Sequence, residues 1–238
     1  MARITRKELK SDTFALEVEH TLTFFEQHQK EIVRYGAAAL GLVVLILGYF
    51  WYSGRQHSKR QEALYRAIQI QEMSVGPIQP GDVQRTFPTQ DIKDQTALRA
   101  FTEVQTSYPG TAEGEIAAYY IGCIKADQGK LAEAEKTYKE VADRADARYA
   151  SLAKIALSQI YFADGRSDQG EAILRGLMDH PTAFVSKEQA TILLAREIAQ
   201  KKPAEARKLL ETLSQGAPEA RLTQEARAAL TRLGKPPG

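Results

Sequence analysis

The sequence predicts an all-α protein with an N-terminal amphipathic helix, one transmembrane helix and a C-terminal α-solenoid of helical hairpins. Three observations lead to this fold class. Residues 35–52 hold 18 residues without a charge, an amide or a proline. Beyond residue 111, a pattern of small and apolar residues recurs every 36 positions. No stretch alternates apolar and polar side chains for long enough to predict a strand.

The chain before the apolar run begins with a basic stretch that lacks apolar periodicity, which predicts a solvated tail. A helical pattern starts at Ser11 or Asp12, since either side chain is suited to cap a helix N-terminus. Its apolar stripe includes Phe14, Val18 and Leu22, spaced four residues apart. Such a stripe suits docking on a membrane surface or on a partner helix. The alternative is a helix that simply continues into the apolar run, and both readings stay open.

The apolar run has the length and the flanks of a membrane span. At 1.5 Å per residue, about 20 residues in a helix cross a hydrocarbon layer of roughly 30 Å. Tyr35 and Trp51 place aromatic rings near headgroup level, and Arg34 and Arg55 lie just outside them. A buried core helix is the alternative, but such a helix is rarely apolar on every side for five turns. We therefore predict a transmembrane helix over residues 35–53, in contact with the lipid bilayer.

Charge does not decide the orientation of this span. Within about 20 residues of it, two Lys or Arg residues precede the run and four follow it, so the positive-inside rule by this count disfavours export of the C-terminal part. The basic N-terminus and the ease with which long domains translocate point the other way.

A helical pattern resumes after the span over residues 58–73 and again over 91–107, with a polar loop between them. From residue 111 onward the 36-residue period becomes clear. Small residues recur at one position of the repeat, namely Ala134, Gly170 and Ala206. Large residues recur four positions later, namely Tyr138, Leu174 and Leu210. Small residues let two helices approach closely, and the larger ones bury against the next hairpin, because one hairpin cannot cover its own apolar face.

This period predicts a helical-repeat domain over residues 54–238. Its repeats are expected at about 58–110, 111–146, 147–182 and 183–218, with a capping helix at 219–233. The stretch GKLAEAEKTYKEV (129–141) resembles the second-helix pattern of the tetratricopeptide repeat (TPR), with Gly129, Ala134 and Tyr138 at its glycine, alanine and aromatic positions. The third copy departs from the pattern, since Lys201 stands at the turn-glycine position.

The resemblance to TPR hairpins implies that the first helices line a concave side. In the 36-residue register, the residues facing it are Ile116, Tyr119, Cys123 and Ala126 of one repeat and Leu152, Ile155, Gln159 and Phe162 of the next. We predict a protein-binding surface there, with Tyr119 and Phe162 as aromatic anchors. The alternative, that both rings serve only the core, stays open.

No arrangement of residues predicts an enzyme. None of the four histidines pairs with another at the three- or four-residue spacing of a helical metal site, and the sequence has no glycine-rich phosphate loop. Cys123 lies within a predicted helix, where a packed thiol is expected. Lys and Arg total 32 against 30 Asp and Glu, which disfavours nucleic acid as a partner. We expect no cofactor and no metal.

The whole layout resembles the ancillary SecYEG translocon subunit family (YfgM-like), through KSDTFALEVEHT (10–21) and SYPGTAEGEIAAYYIG (107–122). This resemblance implies a single-pass protein of the bacterial inner membrane, with residues 1–34 cytoplasmic and the repeats periplasmic. It also implies association with the Sec translocon and with periplasmic chaperones or exported clients. The alternative is a scaffold for envelope assembly or cell division that uses the same repeats and self-associates as a homo-oligomer.

Overall fold

The computed structural model describes residues 6–76, 86–216 and 221–233, with side chains at Lys30 and from Val33 onward. This described part contains nine α-helices and one pair of two-residue strands, so the all-α prediction is confirmed. The strands β1 (Ser74–Val75) and β2 (Thr86–Phe87) run parallel, with Ser74 opposite Thr86. They lie where the predicted polar loop leaves α1 and approaches α2, and the rest of that loop falls outside the described residues.

The first helix, α1, spans Arg6–Glu72 and contains 67 residues, a length of about 100 Å. The predicted amphipathic, transmembrane and post-membrane helices are therefore segments of a single helix. The expected start at Ser11 or Asp12 is wrong, because residues 6–10 are strong helix formers and no proline separates them from the rest of α1. Residues 1–5 and the side chains of the predicted amphipathic stripe lie outside the described part.

Within the described residues, α1 is the one helix long and apolar enough to cross a membrane. The side chains of the apolar run are exposed: Leu45 is 74% exposed and Leu40 is 66% exposed. Apolar surface on this scale is unfavourable in water and favourable in hydrocarbon. These properties are consistent with a single-pass membrane protein.

The chain divides into two compact units, Met1–Lys59 and Arg60–Gly238. The described part of the second unit starts with the end of α1 and continues through eight further helices. These are α2 (Gln90–Ser107), α3 (Ala112–Asp127), α4 (Leu131–Arg144), α5 (Ala147–Ala163), α6 (Ser167–Asp179), α7 (Lys187–Ile198), α8 (Pro203–Ser214) and α9 (Arg221–Leu233). From α2 onward each helix packs on the next, and α3 also contacts α5 as α7 contacts α9. This is a stack of helical hairpins, so the predicted α-solenoid is confirmed.

Three apolar clusters form the core along this stack. The first joins the end of α1 to α2 and α3 around Phe101, which is fully buried. The second joins α3, α4 and α5 around Tyr138. The third joins α6 to α9 around Leu174 and Leu210. Each cluster draws on more than one hairpin, which is the physical reason that the hairpins must stack.

Glycine closes two of the hairpins at equivalent positions. Gly129 and Gly165 have φ values of +74° and +76°, a region that L side chains rarely adopt. In the turn at Gly129, the Lys130 N–H donates to the Lys125 carbonyl at 2.9 Å, which satisfies a free carbonyl at the end of α3. No non-glycine residue in the described part has a positive φ. The turn at Lys201 is therefore built differently, with the Lys202 N–H donating to the Ile198 carbonyl at 2.7 Å.

Glycine also permits close packing inside the hairpins. A Cβ atom at Gly122 of α3 would lie 2.7 Å from Cε1 of Tyr138 on α4. A Cβ atom at Gly170 of α6 would lie 2.7 Å from Cε2 of Phe162 on α5. In the α3–α4 hairpin the glycine lies on the first helix and the ring on the second, and in the α5–α6 hairpin these positions are reversed. In both hairpins the contact between glycine and ring keeps the backbones of the paired helices close.

Candidate protein-binding groove

The helices α3 and α5 form the two long sides of a groove, and polar caps set where each of them begins. Thr111 caps α3, since its Oγ1 accepts a hydrogen bond from the Gly114 N–H at 3.2 Å. Asp146 caps α5, since its carboxylate accepts from the N–H groups of Arg148 at 2.9 Å and Tyr149 at 3.4 Å. Fixing the first turn fixes which side chains further along each helix face the neighbour.

The groove has a volume of about 500 Å³ and is lined mainly by apolar side chains. α4 contributes Leu131 and Tyr138, and α7 contributes Gln189. Helices from three successive hairpins therefore build one surface.

Besides Ala126, five of the eight residues that the 36-residue register places on the concave side line this groove. They are Tyr119 and Cys123 from α3, and Leu152, Ile155 and Gln159 from α5. Gln159 is exposed and the other four are partly buried. The structure thus brings these five side chains together, and their role in binding stays a prediction.

The other two predicted residues do not line the groove. Ile116 packs against the first core cluster, and Phe162 packs against the third cluster with its ring over Gly170. For Phe162 this placement matches the alternative in which the ring serves hairpin packing. Of the two predicted aromatic anchors, Tyr119 lines the groove and Phe162 does not.

Sequence reasoning missed seven lining residues: Asp127, Leu131, Tyr138, Ala156, Ile160, Ala163 and Gln189. Asp127 lies four residues after Cys123, so helical spacing along α3 was a sufficient signal for it. Leu131 belongs to α4 and Gln189 to α7, and only the packing of those helices brings them to the groove. No pattern within α3 or α5 indicates them.

A row of aromatic rings continues from Tyr119 across neighbouring helices. The Tyr119 ring lies 5.6 Å from Tyr149 of α5, and Tyr149 lies 5.5 Å from Phe184, in both cases edge to face. In the other direction, Tyr119 lies 5.7 Å from Tyr120, which stacks on Phe101 at 4.8 Å. Such pairs stabilise their arrangement beyond simple burial, so these contacts favour the observed orientation of the Tyr119 ring.

The titratable groups in the groove are suited to packing and not to nucleophilic chemistry. Burial raises the pKa of the Cys123 thiol, and hydrogen bonds from Tyr138 and Tyr119 only partly offset this effect. Burial likewise raises the pKa values of Tyr119 and Tyr138. The thiol and both phenols are neutral at neutral pH, and a protonated thiol is a weak nucleophile. In the part of the chain that the structure describes, no cluster of His, Cys, Asp or Glu has the arrangement of a metal site.

The hairpin stack and its groove agree with a comparison against known protein families. The model of a tetratricopeptide repeat-like domain matches residues 23–189, more than half of the chain. The chain belongs to the tetratricopeptide repeat-like family. Searches of curated proteins and of solved structures each found no match.

Membership of the TPR-like family accounts for the character of the groove. TPR-like helical-repeat domains are typically non-catalytic modules that mediate protein–protein interactions. The family match covers α2 to α6 and so includes both sides of the groove; it ends in α7 at Gln189.

Proposed function

We propose that this protein is a non-enzymatic, membrane-anchored adaptor that holds a partner protein in the groove between α3 and α5. The observation that carries the proposal is the groove itself, in which apolar side chains from two packed helices line one surface and the described lining contains no activated nucleophile. Apolar anchors on a preformed surface favour association, because little conformational entropy is lost on binding. Tyr119, Leu152 and Ile155 are the proposed anchors.

The proposed setting is the bacterial inner membrane beside the Sec translocon. In this arrangement residues 1–34 are cytoplasmic, residues 35–53 span the bilayer, and residues 54–238 form the periplasmic repeat domain. Its partners would be translocon components, periplasmic chaperones or exported clients. The exposed apolar run of α1 supports the anchor, and the resemblance of residues 10–21 and 107–122 to translocon subunits supports the setting.

Site-specific photocrosslinking in cells tests the groove as the partner site. A photoreactive amino acid replaces Gln159, which is exposed and lines the groove, or Lys154, which is exposed on the same helix and does not line it. After irradiation of the cells, the crosslinked products are extracted in mild detergent. We expect the probe at position 159 to be crosslinked to translocon components or periplasmic chaperones, and the probe at position 154 to give far fewer crosslinks. Equal capture from both positions would contradict the assignment of the groove.

Protease accessibility in spheroplasts tests the orientation. An added protease is expected to remove the repeats from intact spheroplasts and to leave the N-terminal segment protected. A periplasmic protein serves as the positive control and a cytoplasmic one as the negative control. Protection of the repeats until the cells are lysed would place them in the cytoplasm and exclude periplasmic partners.

The alternative function is a scaffold for envelope assembly or cell division that binds further copies of itself. Ala37 and Gly41 form a small-residue pair on α1, and an added Cβ at Gly41 would meet no atom within 4 Å. Small residues of this kind let membrane helices pack closely. Crosslinks mainly between copies of the chain, in place of crosslinks to the translocon, would favour this function.

A further inference from the structure

We propose that the segment held in the groove is an apolar peptide that carries a lysine or arginine beside its apolar anchors, with the cation placed at Asp127. This inference rests on the proposed function, because it concerns the same groove. It adds the chemical class of the partner.

Charge complementarity is the main argument. Asp127 is the one charged residue among the described residues that line the groove, and it is exposed at the end of α3. Its carboxylate acts on the interior of the groove, since it contributes to raising the pKa values of Cys123 and Tyr138. A cationic group entering beside the apolar anchors would therefore meet a favourable potential, and an anionic group an unfavourable one.

The position of Asp127 on its helix strengthens this argument. It is the last residue of α3, where the negative end of the helix dipole disfavours a carboxylate and favours a cation. Within the described residues Asp127 forms no salt bridge, and Lys125 two residues before it pairs with Glu133 at 3.3 Å. Asp164, which follows the end of α5, is paired with Arg166 at 2.6 Å. A cation from the partner would offset both the helix dipole and the carboxylate at Asp127.

The rest of the groove defines the other half of the partner. Leu152, Ile155 and the neutral Tyr119 ring present apolar surface, so apolar side chains are the groups that gain most by entering. Gln159 and Gln189 supply uncharged donors and acceptors at the groove. These suit the polar backbone of a peptide and add no second charge preference.

Peptide binding to the full chain tests the inference. The protein is reconstituted into phosphatidylcholine nanodiscs, and fluorescence anisotropy follows two short labelled peptides with the same leucine and phenylalanine anchors. One carries a single lysine and the other a glutamate at that position, and empty nanodiscs correct for partition into lipid. We expect the lysine peptide to bind about tenfold more tightly, since attraction replaces repulsion at an exposed site.

Charge variants assign the preference to one carboxylate. Asp127→Asn is expected to remove most of the preference for lysine, and Asp127→Lys to reverse it. Asp143→Lys is the matched control, because Asp143 is exposed on α4 and does not line the groove; it should keep the preference. Equal binding of the two peptides, or equal effects of Asp127→Lys and Asp143→Lys, would overturn the inference.

Leu152→Glu separates this inference from the proposed function, with circular dichroism to verify folding. If both peptides bind equally and Leu152→Glu abolishes both, the groove remains the binding site and the charge preference is wrong. If Leu152→Glu changes neither, or no peptide binds, the inference is overturned and the groove loses its support as a peptide site. Dimerisation of the chain that Leu152→Glu abolishes would identify a second copy as the occupant, which also overturns it.

Discussion

Two triads of charged side chains, 36 residues apart, join successive hairpins. They are Glu135–Lys139–Arg166 and Glu171–Arg175–Lys202, with nitrogen–oxygen distances of 2.6 to 2.8 Å. In each triad a glutamate pairs with a base one turn later on its own helix and with the base that precedes the second helix of the next hairpin. The period that apolar residues set in the core therefore extends to polar contacts between hairpins.

The first triad predicts a pH dependence. Hydrogen bonds from Arg166 and then Lys139 lower the pKa of Glu135 from 4.5 to about 2. A carboxyl whose pKa is lower in the folded state stabilises the fold above the unfolded pKa, and this contribution is lost as the pH falls from about 4.5 to about 2. Glu135→Gln should lower the melting temperature by about 2 °C at pH 7, and the difference should vanish near pH 2.

Thermal unfolding followed by circular dichroism at both pH values measures this effect. Glu140→Gln is the matched control, because Glu140 lies on the same helix and forms no salt bridge within the described residues. A deficit in Glu135→Gln that persists unchanged at the lower pH would contradict the electrostatic explanation.

Gly122 provides a second prediction at the scale of a single residue. Gly122→Ala should reduce the free energy of unfolding by about 1–3 kcal/mol, because the new Cβ overlaps the buried Tyr138 ring. Gly176→Ala, within exposed α6 surface with no atom within 4 Å of the new Cβ, should increase it by about 0.5–1 kcal/mol. Chemical denaturation of both variants measures the difference, and equal effects would contradict the close approach of α3 and α4.

At the scale of elements, the turns between the paired helices differ in whether they use a glycine with a positive φ. Gly129 and Gly165 adopt a positive φ, whereas no such conformation occurs at Lys201. The sequence marked Lys201 as a departure from the repeat, and the structure shows a different turn there. Pro203 occupies the first turn of α8, where its fixed φ suits a helix start and its missing N–H costs little.

This difference between turns predicts that glycine stabilises the turn at position 129 and would not stabilise the turn at position 201. Gly129→Ala should destabilise the fold by about 1 kcal/mol, because alanine is strained at positive φ. Lys201→Gly should not stabilise the third hairpin, because its turn does not require a positive φ and glycine increases the entropy of the unfolded chain. Urea denaturation tests both, and stabilisation by Lys201→Gly would show that the third turn is strained.

At the scale of the whole molecule, a stack of hairpins needs its last apolar face covered. α9 packs on α8 and also on α7, and Ala226 is fully buried there. The opposite side of α9 is polar and exposed, at Arg221, Gln224, Arg227 and Arg232. α9 therefore covers part of the third core cluster, which supports the prediction that it caps the repeats.

Because α9 packs on the third core cluster, a charge introduced on its buried side is expected to reduce the stability of the fold strongly. Ala226→Asp should destabilise the fold by about 3 kcal/mol, because it buries an unpaired carboxylate. Ala228→Asp, on the exposed side of the same helix, should change stability by less than about 0.5 kcal/mol. Thermal unfolding and light scattering measure stability and aggregation, and similar behaviour of the two variants would contradict this role of α9.

Local patterns determined much of the fold in advance. The apolar run, the small residues at Ala134 and Gly170 and the turn at Gly129 each depend on side-chain size, hydropathy or backbone freedom, and these are properties of short stretches. The same patterns placed Tyr119 and Ile155 on equivalent faces of α3 and α5. They did not reveal that α1 is continuous from Arg6. The amphipathic, transmembrane and post-membrane patterns differ from one another and therefore suggest separate helices, although no proline lies between them to end a helix.

The sequence by itself determined the helices, the apolar segment long enough to span a membrane and the 36-residue repeat. Only the tertiary structure decided which side chains share a surface. It brought Leu131 and Gln189 to the groove, placed Phe162 over Gly170, and left Asp127 unpaired within the described residues. The physical reason is that helical periodicity fixes the directions of side chains within one helix, whereas contacts between helices depend on how closely each pair packs.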